Sequence, residues 1–427
     1  MRRRTARPPR TLSIVTEQGI APGVSSLTKA EVAARAGTSR AEVDSLIDLG
    51  LITPGPEGRL TEGDVRRTVI VRTLEQQGLP REAIATANRT GILGLEFLET
   101  NMYARFASLA TETFAAASER TGVPLELLGL VRETTGAPPP KPTDHIREDE
   151  LPVVEWLAVQ AANGFRTAAT AGLLRAVGDS LRRIAESEAE WWRSEVIEPV
   201  LRSGRPVDDV AAPDFGEAIV VATDRAIISL YHALQMRSWT ANIVSTAEVA
   251  LHRAGLVEER VRQPAIVFLD ITGYTQLTQE QGDAAAAALA ERLGRLVQRT
   301  SVAHGGRPVK FLGDGVMFVF PEAGPAVVAS LQMVRDVADA GLPPAHVGIA
   351  SGPVIFQEGD YYGATVNLAA RISDFARPGE VLVSETVVTA AGLPDGSFSD
   401  VGPVELKGVG GPIRLLAAVP RTTRTDG

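Results

Sequence analysis

The chain has 427 residues, a formal net charge of −9 and no cysteine, which excludes disulfide bonds, a thiol nucleophile and thiolate metal sites. This length suits two or three domains of ordinary size. We find no apolar run of about eighteen residues and no signal-peptide pattern, so the sequence predicts a soluble, cytoplasmic protein without a membrane span. The acidic balance disfavours generic nucleic-acid binding. Residues 1–26, with several arginines near the start, are predicted to be a disordered basic tail.

Short helices alternate with turn signals between residues 27 and 87. Two capping boxes mark helix starts, because Thr28 precedes Glu31 by three residues and Ser39 precedes Glu42 by three. The sequence therefore predicts two short helices separated by a tight turn.

The turn between these helices contains Gly37, residues 38–40 open the second helix, and a Pro/Gly turn follows at residues 54–59. This order resembles a MerR-like winged helix-turn-helix, and we assign residues 27–135 to such a module with further helices. A plain helical hairpin would use the same caps. Residues 27–87 contain eight basic and nine acidic side chains, whereas phosphate contacts need clustered cations. We therefore expect a regulatory or dimerisation module, and DNA binding is doubtful.

A proline-rich stretch then interrupts the helical pattern. Residues 136–148, which include GAPPPKPTDH, are predicted to be a stiff linker at a domain boundary. Residues 149–257 are again helical in pattern and are predicted to be a regulatory or dimerisation domain. One predicted helix face carries Leu173, Leu174, Val177 and Leu181. His232 and His252 could couple pH to dimer geometry if they titrate, although such histidines are more often ordinary helix residues.

Short apolar strands and helices alternate from residue 258 to 420. The run AIVFLD ends in Asp270, a helix is predicted from Gln279 to Ala303, and VKFLGDGVMFVF forms a hairpin. A second helix is predicted over residues 323–340, followed by a strand pair made of HVGIASG and PVIFQEG, a helix around Asn367 and the strand VLVSETVV. This order predicts an α+β domain with a ferredoxin-like β-α-β-β-α-β core and additional elements, preceded by an all-α region.

Four polar residues of this segment point to phosphoryl chemistry. Asp270 and Asp314 end short strands, and such carboxylates are the ligands that Mg²⁺ prefers while leaving room for substrate phosphates. Glycines on both sides of Asp314 let the chain reverse close to a phosphate. Asn367 and Arg371 lie four residues apart, so they share one helix face and can reach one target.

These motifs resemble the class III nucleotidyl cyclase catalytic domain, which carries D-I-x-G-F/Y-T at the first aspartate and K-x-x-G-D-G at the second. The resemblance implies two Mg²⁺ or Mn²⁺ ions per site, held by Asp270, Asp314 and the backbone carbonyl of Ile271. It implies conversion of ATP to 3′,5′-cyclic AMP and pyrophosphate. Asn367 would orient the ribose, and Arg371 would neutralise charge that develops at the α-phosphoryl group.

The same resemblance assigns the nucleotide contacts. Lys310 and Asp360 match the adenine-reading pair, since a donor and an acceptor meet adenine N1 and its 6-amino group, whereas guanine presents the opposite pattern. Lys407 in VELKGVGG matches the lysine that contacts the terminal phosphates. Each of these residues alone would be an ordinary strand end, turn or surface charge, so the argument depends on their joint occurrence in order.

In this family the site lies between two domains packed head to tail, with metal ligands from one and the other polar residues from its partner. Because this chain has one such segment, a homodimer would complete two sites and a monomer none. We therefore expect an adenylate cyclase, a phosphorus–oxygen lyase, that binds ATP as a homodimer and is regulated by its N-terminal region. Two alternatives stay open, namely a guanylyl cyclase and a nucleotide-sensing transcription regulator with a catalytically silent cyclase domain.

Overall fold

The computed structural model describes residues 26–95, 98, 108–203, 213–258, 263–274, 279–280, 282–313 and 315–420. Asp314 and nearly all of the predicted basic tail lie outside these residues. The chain divides into two compact units, Met1–Ser238 and Trp239–Gly427. No helix within the described ranges is long and apolar enough to cross a membrane.

Among its described residues, the first unit is helical apart from one short ribbon and an isolated β-bridge between Leu27 and Leu60. Its elements, the last of which runs on past residue 238, are α1 (Lys29–Arg35), α2 (Arg40–Asp48), α3 (Glu62–Gln76), α4 (Arg81–Arg89), β1 (Leu109–Thr113), α5 (Phe114–Thr121), α6 (Leu125–Thr134), β2 (His145–Arg147), α7 (Leu151–Ala162), α8 (Thr167–Trp192), α9 (Glu198–Ser203) and α10 (Pro213–Arg253). Strands β1 and β2 pair antiparallel.

The two predicted capping boxes differ in the structure. At α1 the box is complete, because Thr28 accepts a hydrogen bond from the Glu31 amide and the Glu31 carboxylate accepts one from the Thr28 amide at 2.7 Å. At α2 Ser39 accepts from the Glu42 amide at 3.2 Å. The Glu42 carboxylate binds Arg81 instead of closing the box. The second box is therefore half formed, since an ion pair from α4 competes for its glutamate.

Arg81 links helices α2, α3 and α4. Its guanidinium donates to both carboxylate oxygens of Glu75 at 2.6 and 2.7 Å, to Glu42 and to the Ser45 hydroxyl at 3.1 Å. The hydrogen bonds from Arg81 hold the pKa of Glu75 below its ordinary value. Because a depressed carboxylate pKa stabilises the fold only while the carboxylate is ionised, this contribution is present near neutral pH and is lost on acidification.

We expect Arg81→Ala to weaken the packing of these three helices. The substitution leaves two carboxylates facing each other, and the local opening free energy should fall by about 1 kcal/mol. Hydrogen exchange of the full-length protein at neutral pH measures this as faster exchange in α2 and α4. At pH values below the ordinary pKa of a glutamate, the difference in exchange rate between this variant and the unsubstituted chain should become smaller. Arg89→Ala, which removes an exposed arginine from α4, is the control, and equal exchange in both variants would contradict the prediction.

The predicted linker at residues 136–148 is packed into the fold. It contains β2, whose Ile146 is fully buried, and it leads to Glu150, which forms a 2.7 Å ion pair with Arg132. One apolar core joins side chains from both sides of the segment, from Phe114 to Leu174. The packing therefore continues across the predicted domain boundary, because the prolines lie in a short connection that β1 and β2 hold in place.

The face of α8 that carries the four apolar residues of the sequence pattern is mostly exposed. Leu174 is 6% exposed, whereas Leu173, Val177 and Leu181 are 52%, 43% and 52% exposed. Helix α10 also presents large apolar side chains, among them Ile228, Leu230, Tyr231, Leu234, Trp239 and Ile243. Both helices therefore present apolar surface that a single chain leaves accessible to solvent.

The second unit is built on a seven-stranded sheet. Its elements are β3 (Ala265–Ile271), α11 (Asp283–Ala303), β4 (Arg307–Leu312), β5 (Gly315–Phe320), α12 (Ala323–Asp339), β6 (Ala345–Ser351), β7 (Ile355–Gln357), β8 (Asp360–Tyr362), α13 (Ala364–Phe375), β9 (Val381–Ser384), α14 (Glu385–Ala391), β10 (Phe398–Val404) and β11 (Ile413–Ala418). The strand order is β10-β11-β9-β6-β3-β5-β4. Its β6-β3-β5-β4 part, antiparallel throughout, confirms the predicted ferredoxin-like core.

Two details of the predicted fold are wrong. PVIFQEG does not pair with HVGIASG, because β6 pairs with β3 and β9, while β7 pairs with β8 in a separate hairpin. The first long helix begins at Asp283 rather than Gln279, where Gly282 with φ +84° precedes it.

The sheet separates two apolar cores. Val267 and Leu269 of β3 belong to the core beneath α11 and α12, and Ile266 belongs to the core beneath α13. Because successive strand residues alternate between faces, Asp270 lies on the α13 face. This alternation brings the polar end of β3 to the same side of the sheet as Asn367 and Arg371.

Candidate active site

Asp270 lies near the end of β3 with an open space beside its carboxylate. The strand register places it opposite Gly315 of β5 and His346 of β6. Its Oδ1 accepts a hydrogen bond from the Ile271 amide at 3.0 Å. A Cβ atom at Gly315 would lie 3.5 Å from that oxygen, which is an ordinary van der Waals distance. The carboxylate is one of the groups that line a cleft.

A cleft of about 260 Å³ joins Asp270 to helix α13. The side chains that line it come from β3, the β4–β5 turn and α13, and include Asp270, Leu312, Asn367, Arg371 and Asp374. The structure thus brings together one of the predicted metal ligands and both predicted transition-state residues within a single chain.

Close packing against β6 fixes the position of α13. A Cβ atom at Gly348 would lie 2.1 Å from the Ser373 amide nitrogen, so only glycine allows this approach. The Ser373 hydroxyl donates to the Phe268 carbonyl at 3.2 Å, which ties the helix to β3 as well. Ser373 was not among the predicted site residues, and a serine within a helix gives no sequence signal for this role.

Asn367 and Arg371 are exposed, one turn apart on α13. The Arg371 guanidinium forms a 2.7 Å ion pair with Asp374, a residue that we did not predict. The i, i+3 spacing of the two charges on one helix was the available signal. A phosphate group that enters the cleft would compete with Asp374 for the guanidinium.

Lys310 and Asp360 are in direct contact. The Lys310 ammonium donates to Asp360 Oδ2 at 2.6 Å, although 50 residues separate them in sequence. Asp360 Oδ1 accepts from the Tyr361 amide at 2.8 Å. The pair therefore offers a donor and an acceptor side by side, on the face of the sheet that carries Asp270.

The other predicted site residues are less informative. Asp314 lies outside the described residues, between Gly313 with φ +72° and Gly315 at the start of β5. Ile271 buries its side chain in the core, so only its backbone is available at the site. Lys407 is exposed in the turn between β10 and β11 and is not among the residues that line the cleft.

A divalent ion at this site would need ligands beyond the protein side chains. Within the described ranges, which omit Asp314, no group of three or more His, Cys, Asp or Glu side chains converges. Mg²⁺ typically uses one or two carboxylates together with substrate phosphates and water. The Asp270 carboxylate, which lines the cleft, and the adjacent Ile271 carbonyl are oxygen ligands of the kind that this pattern requires.

Comparisons with known proteins agree on the C-terminal half. Residues 256–416 match the family described as the adenylate and guanylate cyclase catalytic domain. The chain is 29% identical over 380 residues to the pH-sensitive adenylate cyclase MT1302 of Mycobacterium tuberculosis, covering 84% of this chain and 89% of that protein. It is 28% identical over 276 residues to an adenylate cyclase of Streptomyces coelicolor, covering 62% and 68%. A solved adenylate/guanylate cyclase/hydrolase from Silicibacter pomeroyi is 27% identical, covers 38% of this chain and 98% of its own, and has a TM-score of 0.34.

Proposed function

Residues 256–416 form a class III cyclase catalytic domain, and on this premise we propose that the chain converts ATP to 3′,5′-cyclic AMP and pyrophosphate. The observation that carries the choice of ATP is the 2.6 Å contact between Lys310 and Asp360. This pair supplies one donor and one acceptor, which complement adenine N1 and the 6-amino group. Guanine presents N1–H and O6, so it would place donor against donor and acceptor against acceptor, which disfavours a guanylyl cyclase.

The other predicted site residues would perform the remaining steps, each from the protomer that contributes it. Asp270, Asp314 and the Ile271 carbonyl would hold Mg²⁺ or Mn²⁺, which when bound lowers the pKa of the ribose 3′-hydroxyl and neutralises phosphate charge. Asn367 would orient the ribose by hydrogen bonding. Arg371 would leave Asp374 and donate to the α-phosphoryl oxygens, where charge develops in the transition state.

We also propose that the protein is a homodimer. In this dimer the face of the sheet that carries Asp270 and α13 would pack against the same face of the second copy. The β7–β8 hairpin exposes Ile355 and Phe356 at 61% and 58% on this side of the domain. The apolar faces of α8 and α10 give a second copy further surface to cover. Several large apolar side chains exposed on one surface are typical of an interaction surface.

The helix-turn-helix-like module is proposed to regulate rather than to bind DNA. Several of its cations are engaged within the module: Lys29 pairs with Asp44 at 2.6 Å, Arg35 with Glu62 and Arg81 with two carboxylates. Arginines held by carboxylates cannot release counterions from a phosphate backbone without losing those bonds. A fluorescence anisotropy titration with a random duplex should therefore show no binding at about 150 mM salt, where phosphate contacts are already weakened.

The test of the proposed activity uses the full-length protein with ATP or GTP and with Mg²⁺ or Mn²⁺. We expect cyclic AMP and an equal amount of pyrophosphate from ATP, with kcat/KM for GTP at least about tenfold lower because of the mismatched base edge. Cyclic GMP as the main product would favour the guanylyl cyclase. ATP binding with no product from either nucleotide would favour the silent nucleotide sensor.

A further inference from the structure

The hairpin that carries Asp360 is not part of the main sheet. Strands β7 and β8 pair only with each other, with Gln357 opposite Asp360 and Phe356 opposite Tyr361, and form their own two-stranded sheet. A two-stranded hairpin is marginally stable by itself. The position of Asp360 therefore depends on contacts between this hairpin and the rest of the domain.

A bulge in the edge strand β4 supplies two such contacts. Arg307 lies opposite Val319 and Lys310 opposite Met317, with an irregularity of register between Pro308 and Lys310. Val319 and Met317 both belong to the core beneath α13. Residues three apart in a regular strand point to opposite faces, and one extra residue in a bulge restores them to the same face. The bulge therefore directs both cations towards the hairpin.

The two cations bind consecutive residues of β8. Lys310 donates to Asp360 at 2.6 Å, and Arg307 Nη2 donates to the Tyr361 hydroxyl at 3.1 Å. The Arg307 guanidinium also lies over the Tyr361 ring, 5.6 Å from its centroid, and the Phe356 ring lies 5.0 Å from the same ring. Arg307 is exposed, so its substitution leaves the core intact. Tyr361 is half-buried and packs against the core beneath α13, and a substitution by Phe keeps its ring there.

We propose that Arg307 and Tyr361 are positioning residues for base recognition, which hold the hairpin against β4 while a nucleotide occupies Lys310 and Asp360. This inference rests on the proposed function. An adenine ring that forms hydrogen bonds with Lys310 and Asp360 competes with the hydrogen bond between these two side chains. That hydrogen bond is one of the contacts that hold the hairpin against β4. The Arg307–Tyr361 contact uses no group that the base needs, so it persists in the complex and keeps Asp360 in place.

The kinetic test compares Arg307→Gln, Tyr361→Phe and Arg307→Lys in the full-length protein. We expect Arg307→Gln to raise KM for ATP about fivefold to tenfold and to reduce the preference for ATP over GTP, with kcat within about twofold, because the contact acts on binding. Tyr361→Phe keeps the ring and loses only the hydroxyl, so its effect should be smaller. Arg307→Lys keeps the charge over the ring and should recover part of the loss.

The matched control is Arg414→Gln, which removes another exposed arginine of the same domain, paired with Asp400 at 3.1 Å on the β10–β11 hairpin. An increase of KM in the control equal to that in Arg307→Gln would overturn the inference, as would an unchanged KM and base preference in Arg307→Gln. A loss confined to kcat would also contradict it, since a positioning contact for the base acts through KM.

Hydrogen exchange separates this inference from the proposed activity. Arg307→Gln should accelerate amide exchange at residues 355–362 in the nucleotide-free protein, and the control should not. If the unsubstituted protein makes no cyclic nucleotide, the proposed function fails, whereas the exchange of the hairpin still decides whether Arg307 holds it. Unchanged exchange at residues 355–362 would show that the contact between Arg307 and Tyr361 does not hold the hairpin in place.

Discussion

Asp270→Ala should lower kcat for cyclic AMP formation by about a thousandfold or more, because a bound divalent ion contributes several kcal/mol of transition-state stabilisation and each 1.36 kcal/mol is a factor of ten. The structure gives the reason for choosing this residue. Its carboxylate is the polar end of a buried strand, and it lines the cleft with Asn367 and Arg371. Initial rates at saturating ATP with Mg²⁺ and with Mn²⁺ measure the loss.

Two further variants make this result specific. Asp270→Asn preserves the shape and can still accept the hydrogen bond from the Ile271 amide, but it lacks the negative charge, so it should be nearly as inactive as the alanine variant. Asp400→Asn removes an exposed carboxylate elsewhere in the domain, where it pairs with Arg414, and should retain full activity. Substantial activity in Asp270→Asn would indicate that the carboxylate has a structural role.

The sequence predicted the parts of the site that follow from strand ends and from one helix turn. The unbroken apolar run of β3 placed Asp270 at a strand end, and the four-residue spacing placed Asn367 beside Arg371. The contact between Lys310 and Asp360, separated by 50 residues, could be anticipated only from the family resemblance, because no local periodicity relates two such distant positions.

Other features depend on packing that a sequence pattern does not encode. The bulge in β4 reverses the side on which Arg307 would lie in a regular strand. Pro308 is typical of an edge strand or a bulge, but it does not indicate which side chains change face. PVIFQEG reads as a strand next to HVGIASG, yet its partner is the equally short β8, since Gly359 with φ +85° closes a tight turn between them. Prolines at residues 136–148 suggested a linker, whereas the burial of Ile146 binds that segment into the core.

A heterodimer of two inactive variants should recover activity if each site uses residues from both protomers. Asp270→Ala and Asn367→Ala would each be inactive alone. Co-expressed with different affinity tags and purified through both, they form a dimer with one site that lacks both groups and one intact site. Such a heterodimer should show about half of the activity of the unsubstituted dimer.

The single-chain cleft makes this experiment decisive, because it already contains Asp270 and Asn367 of one protomer. If catalysis used that cleft within one chain, each half of the heterodimer would lack one group and no activity would return. A second heterodimer reverses the expectations of the two models. A doubly substituted Asp270→Ala/Asn367→Ala chain paired with an unsubstituted chain leaves no complete site between protomers but one complete site within a chain. We expect activity in the first heterodimer and none in the second, because the proposed homodimer would bring each Asp270 to the partner's α13.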